Sequence, residues 1–234
     1  MAVPPDRNVA RAALAVAAMV FAIVIATVES PTRSAATRRT DPSVLRALVQ
    51  FATRSDRLDV RIDYGLERST TTGLRLTADF VSWFRANPLL IVRSDAGSFV
   101  ADSEHSHVDC RQSSTGDQCF ESSARVRSAS SAELYFDAIR IAQRYRAEMG
   151  KARQIANEKA TCFRIVKLVG AVTIPSLGDR LEICYGADGA MLLTDIVRGA
   201  SHDVQTARRV RRGFDVVGYE ALLRRFRNAP LIKT

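Results

Sequence analysis

Leu58-Asp59-Val60-Arg61-Ile62-Asp63-Tyr64-Gly65-Leu66-Glu67 alternates without a break between apolar and polar or small residues. Successive side chains of a strand point to opposite faces, so a period of two turns one face toward a core and the other toward water. Such a segment belongs in an antiparallel sheet with one solvated side. Residues 70–73 then read as a turn. Leu74, Leu76, Ala78, Phe80 and Phe84 share one face of a second strand, and Trp83 alternates with Val81 on the other. Residues 89–93 and 98–102 give two more strands around Ala96-Gly97.

Outward from these strands the period changes. Asp41-Pro42-Ser43 supplies an N-cap and a proline at the first helical position. Val44, Leu45, Leu48, Phe51 and Ala52 then recur at helical spacing to about residue 53. Ser130 and Glu133 form a capping box. The helix they open carries Leu134, Ala138, Ile141, Ala142 and Tyr145 on one side and is expected to end near Met149-Gly150. Strands return at 153–156 and 161–169 around Asn157-Glu158-Lys159. Two more, at 180–185 and 190–198, flank Ala187-Asp188-Gly189, a strong hairpin signal. Residues 202–211 offer a further strand. Tyr219, Leu222, Leu223 and Phe226, interleaved with Arg224, Arg225 and Arg227, make a short basic amphipathic helix that packs on a core or touches a membrane surface. No βαβ alternation occurs, so the expectation is an α+β domain over 41–234. In it, helices pack on the concave face of one large curved antiparallel sheet.

Residues 12–28 carry no charge and follow Arg7 and Arg11. This suits a transmembrane signal anchor or a signal peptide, with 30–40 as a tether. Small-residue sites at 28–30 and 34–36 make poor cleavage positions, and no cysteine follows to carry a lipid. The expectation is a single-pass anchor with an extracytoplasmic C-terminal domain; secretion after cleavage is the alternative. The net charge is +9, from 34 basic and 25 acidic residues, most of the basic ones arginine. With no nucleic-acid-binding motif in the chain, that balance favours an anionic membrane surface as partner.

Cys110, Cys119, Cys162 and Cys184 lie beyond the apolar segment in two groups, an even count that suits disulfides in an exported chain. Neighbours in each group would cross-link the arms of a local hairpin, Cys110 to Cys119 and Cys162 to Cys184. Neither group has the short spacing of a zinc site. His105 and His107, with Glu104 or Asp109, could meet on one face of a strand and hold a metal, but the polar setting favours solvated loop histidines. His202 beside Asp203 lacks a nucleophile. No nucleophile elbow, phosphate loop or dinucleotide fingerprint occurs. The expectation is a protein with no cofactor, no metal and no enzymatic activity.

The succession Cys110…Cys119-Phe120, then Arg153-Gln154-Ile155-Ala156-Asn157 and Thr161-Cys162-Phe163, then Ile183-Cys184-Tyr185-Gly186-Ala187-Asp188-Gly189, resembles a group of exported actinobacterial and chloroflexal proteins. These are similar to the LolA/LprG-like lipoprotein-localisation superfamily. The resemblance spans about 44–210. Asn157 stands where a glycine is usual, and asparagine suits the same left-handed turn. What the resemblance implies is an incomplete barrel of about ten antiparallel strands around helices, with a hydrophobic cavity for acyl chains and no catalytic motif. Val60, Ile62, Tyr64, Leu76, Phe80, Ile139 and Tyr145 would line such a cavity or fill a dry core. The expected function is binding of a lipid or other apolar ligand. The alternative is a membrane-anchored sensor domain that binds a protein partner without lipid.

Overall fold

The structure is a computed structural model that describes residues 39–87, 89–103, 105–114, 116–123 and 130–233. The anchor read at 12–28 and most of its tether lie outside them. Among the described residues no helix is long and apolar enough to cross a membrane.

Thirteen strands form one open sheet: β1 (Val60–Thr70), β2 (Arg75–Arg85), β3 (Leu90–Ser94), β4 (Ser98–Ser103), β5 (Ser106–Arg111), β6 (Gln118–Ser123), β7 (Tyr145–Met149), β8 (Arg153–Ile155), β9 (Glu158–Lys167), β10 (Arg180–Tyr185), β11 (Met191–Arg198), β12 (Ser201–Arg212) and β13 (Leu231–Lys233). Their order is β13-β6-β5-β4-β3-β2-β1-β12-β11-β10-β9-β7, with β8 folded back on β9. Two meanders, β1 to β6 and β9 to β12, are joined where β1 pairs with β12 along its whole length. Every pairing is antiparallel except that of β13 with β6, an edge addition the alternation had not indicated.

Among the described residues three helices accompany the sheet. Helix α1 (Pro42–Ser55) starts where expected, with the Asp41 carboxylate accepting from the Ser43 N–H. Helix α2 (Ser131–Phe136) opens on the full capping box and runs into one π turn, Asp137–Ile141. It does not continue to Met149 as its spacing suggested. Gln143 adopts φ +50°, outside the helical region, and Tyr145–Met149 becomes a strand paired with β9. The third helix, α3 (Val216–Arg225), is capped by Asp215.

The helices do not share one face, which corrects the expectation that all would pack on the same side. Directly paired residues of neighbouring strands lie on one face. Phe163 and Ile165 of β9, with Leu181 and Ile183 of β10, pack under α1 and α2 in a dry core. On the opposite face of β2, Trp83 with Val92, Phe99 and the Cys110–Cys119 bridge is covered by Leu222 of α3 and by Phe226, which follows that helix. Arg61 lies over the Trp83 ring and pairs with Asp215, tying that cap to β1. A third cluster, around Val60, Ile62 and Tyr64, lies against β8 and the Cys162–Cys184 bridge. Both disulfides join directly opposed residues of a hairpin, β5–β6 and β9–β10.

Candidate functional site

Following register across the sheet locates the site. One row runs Ala147, Ile165, Leu181, Ile196, Asp203, Arg68 and Leu76, each residue paired with the next. Its first four members are buried beneath or beside the helices, and its last, Leu76, is 50% exposed. The neighbouring row runs Phe163, Ile183, Thr194, Gln205, Leu66 and Ala78. The face that carries α1 and α2 over β7 to β11 therefore continues onto β12, β1 and β2, where Asp203, Ala207 and Tyr64 remain buried and Arg68, Leu76 and Ala78 at the β1–β2 tip are exposed. Leu66, Ala78 and Leu76 form an apolar shelf there, and the stacked rings of Tyr64 and Phe80, 5.1 Å apart, close its inner end. Tyr64 is buried and donates from its hydroxyl to the Met191 carbonyl at 2.6 Å, which fixes the ring; burial holds its ionisation far above the ordinary tyrosine range.

At the tip of the shelf Arg68 holds Asp203 through two bonds of 2.7 and 3.0 Å, and Arg198 reaches the same carboxylate at 3.0 Å. The Arg68 hydrogen bond is the main reason the Asp203 carboxyl sits below its usual range, with burial opposing. Two guanidiniums on one carboxylate leave a net positive charge beside Leu76. The arrangement offers apolar contact along the strand and a cation at its end, which suits an amphiphile with an anionic head.

A separate open cleft of about 510 Å³ lies where β2 runs past the end of β3. Asp63, Asp79, Asp95, Arg208 and Arg209 are among its lining residues. Arg208 is the extra residue of a bulge in β12, and its guanidinium crosses Gly65 so closely that a Cβ there would come within 2.8 Å. Arg208 pairs with Asp79 at 2.9 Å. Asp95 is occupied in its own turn, accepting from Gly97 and Ser98.

The seven residues read from the sequence as cavity candidates are not brought to one place. Val60, Ile62, Tyr64 and Phe80 share one cluster. Ile139 and Tyr145 belong to the core under the helices, where the Tyr145 hydroxyl donates to the Gly178 carbonyl and accepts from the Ile174 N–H. Leu76 stands in solvent. Arg68, Arg198 and Gln205 were not foreseen; the one local sign was the abrupt switch from apolar Leu66 to charged Arg68 in the same phase of β1.

The histidines also separate. His107 lies on β5 and bonds Asp102 at 2.6 Å, while His105 sits exposed in the preceding turn. Glu104 lies outside the described residues, and Asp109 is engaged by Arg111 at 2.6 Å. The expectation of loop histidines thus holds for His105, while His107 lies on a strand. His202 bonds Asp195, not Asp203. Cys162, Glu182 and Cys184 lie close enough together to be considered as metal ligands, but both sulfurs are in the disulfide and Glu182 holds Arg153.

No family model matches the chain, and no curated protein matches it. Solved structures with a similar architecture include MucB of Pseudomonas aeruginosa in a complex with MucA, at 12% identity and a TM-score of 0.46 over 73% of this chain. The chain spans 56–60% of the length of the chains it matches in the MucB structures. The Mycobacterium tuberculosis lipoprotein LppX matches at 13% identity and a TM-score of 0.44, over 72% of this chain and 94% of that one. A LolA superfamily protein from Nitrosomonas europaea matches at 8% identity and a TM-score of 0.32, over 72% and 94% of the two chains.

Proposed function

We propose that this domain is a non-catalytic binding module for an acyl-bearing amphiphile with an anionic head group, working outside the cytoplasm. One observation carries the reading: the sheet face that is apolar beneath α1 and α2 continues, past Thr194, Gln205 and the Arg68–Asp203–Arg198 cluster, to Leu66 and to exposed Ala78 and Leu76, so that apolar shelf and cations lie side by side. An acyl chain laid there would remove apolar surface from water at roughly 0.8 kcal/mol per buried methylene. Its head would meet two guanidiniums that share one carboxylate. Two disulfides fit an oxidising compartment, and an anchor at 12–28 would hold the shelf near a lipid surface.

Native mass spectrometry of gently purified protein should show masses of bound lipid, and lipid-stripped protein should take up a fluorescent fatty acid. A clean apo mass combined with no uptake of that probe refutes the proposal. Protein that instead retains a membrane protein through delipidation supports the sensor reading.

A further inference from the structure

β2 is paired with β1 along its length, from Arg75 opposite Ser69 to Phe84 opposite Val60. On its other side β3 covers only Val81 to Arg85. The remaining stretch, Arg75-Leu76-Thr77-Ala78-Asp79-Phe80, has an edge with no strand beside it among the described residues. The Leu74 carbonyl accepts from Thr70 in the β1–β2 turn, so even-numbered residues turn their backbone groups toward β1. The N–H and C=O groups of Arg75, Thr77 and Asp79 therefore point outward with no partner strand. The edge of β7 differs, since the Ala147 N–H is taken by the Thr40 hydroxyl. A bare run of this kind is a template for another strand.

We infer that the β2 edge is a self-association surface on which a second copy of this chain adds its own β2, antiparallel, about a two-fold axis at Thr77. Three features of the stretch select that occupant. With Thr77 opposite Thr77 of the second copy, Arg75 falls opposite Asp79 and Asp79 opposite Arg75, so opposite charges meet twice, each Arg75 joining a carboxylate that Arg208 of the other copy holds at 2.9 Å. In the same register every outward N–H and C=O of Arg75, Thr77 and Asp79 meets its complement, because these residues take the hydrogen-bonded positions of an antiparallel ladder. On the other face Leu76 comes opposite Ala78 and Leu74 opposite Phe80, covering Leu74 and Leu76, which stand 63% and 50% exposed. The pairing is isologous and closes at two copies. It would also join the two shelves into one apolar face, yet it stands on the edge alone and does not require that the shelf bind lipid.

Sedimentation equilibrium of the full chain in density-matched detergent tests this. The wild type should reach twice the 25.7 kDa chain mass as concentration rises. Asp79→Arg or Arg75→Asp places like charges opposite each other at both pairs and should weaken association roughly tenfold or more. The double variant, Arg75→Asp with Asp79→Arg, should restore it. Far-UV circular dichroism should stay unchanged throughout, since both side chains are exposed. A chain that stays monomeric overturns the inference. So does a dimer indifferent to the single changes, or a double variant that fails to reassociate. Loss of lipid uptake with association intact would count against the proposed function only.

Discussion

Replacing Leu74 and Leu76 together by serine tests whether the shelf or the helix-covered interior receives the ligand. Full burial of a leucine is worth roughly 1.5–3 kcal/mol relative to exposure. Leu76 keeps half of its surface in solvent and Leu74 rather more, at 50% and 63%. About half of that transfer free energy is thus still available to a ligand at each position, or about 1 kcal/mol per residue. The double variant should bind a fluorescent fatty acid roughly 30-fold more weakly, while its unfolding free energy changes by no more than about 0.5 kcal/mol. Ile139→Ala is the counterpart. Ile139 is buried with Ala138 and Tyr145 under α1 and α2, so its truncation should cost about 2–4 kcal/mol of stability and leave affinity for the probe unchanged. Fluorescence titration and guanidinium unfolding of the same preparations separate the two. Unchanged affinity in the leucine variant, with weakened affinity in Ile139→Ala at a concentration where the protein stays folded, would refute the shelf and place the ligand between helices and sheet.

Tyr145→Phe keeps the ring but leaves the part-buried Ile174 N–H and the buried Gly178 C=O without their side-chain partner; equilibrium unfolding should register a loss of about 2–4 kcal/mol. The disulfides close stretches with sequence separations of 9 and 22, for which loop entropy assigns about 2.7 and 3.4 kcal/mol. Converting Cys162 and Cys184 to alanine should therefore destabilise more than the same change at Cys110 and Cys119, and the reverse order in denaturant midpoints would contradict the loop argument. The Lys167 ammonium, with help from the Gly199 N–H and the Thr173 hydroxyl, pulls the Asp179 carboxyl down to about 2. A carboxyl lowered on folding contributes stability that is complete above its unfolded value near 3.8 and is lost as pH falls toward 2. Melting temperature measured from pH 6 to pH 2 should fall less steeply in Asp179→Asn than in the parent, and identical slopes would rule out this contribution.

What the sequence made legible was local. The Ala156-Asn157 turn, with φ of +50° and +63°, and the Asp188-Gly189 turn, with Gly189 at +98°, specify their hairpins by chemistry that needs no distant partner. The disulfides belong to two other hairpins, β5–β6 and β9–β10, in which their cysteines are directly opposed. One misreading has an equally local cause. Tyr145 lies three residues after Ala142, which continues a helical period, but Tyr145 and Ala147 also alternate as a strand, and hydrogen bonding to β9 decides between the two. Residues 202–211 show no clean alternation because the bulge at Arg208 shifts the phase. Ala207 pairs with Tyr64 on one face, Arg209 pairs with Asp63 on the other, and Val210 returns to the first opposite Ile62.

The site was illegible for a different reason. Periodicity says which residues share a face; it does not say what covers the face. Leu76 and Ile139 are both apolar and in phase with their own elements, yet one stands half in solvent and the other is 6% exposed. The difference is set by one long-range pairing. Hairpins fix each meander separately, and only the contact of β1 with β12, which begins at Ser201, places Leu66 and Leu76 in rows that begin beneath α1 and α2. The same pairing brings Arg68 against Asp203, where Arg198 of the neighbouring strand already reaches. Weakening that junction should thus disturb head-group and acyl contacts together. Arg68→Ala removes one cation but leaves Asp203 paired with Arg198. Asp203→Asn removes the charge that holds the two guanidiniums side by side. If the cluster serves an anionic head, Arg68→Ala should weaken binding of the fatty acid more than that of its neutral methyl ester. Equal losses for the two probes would mean that the arginines only staple β1 to β12.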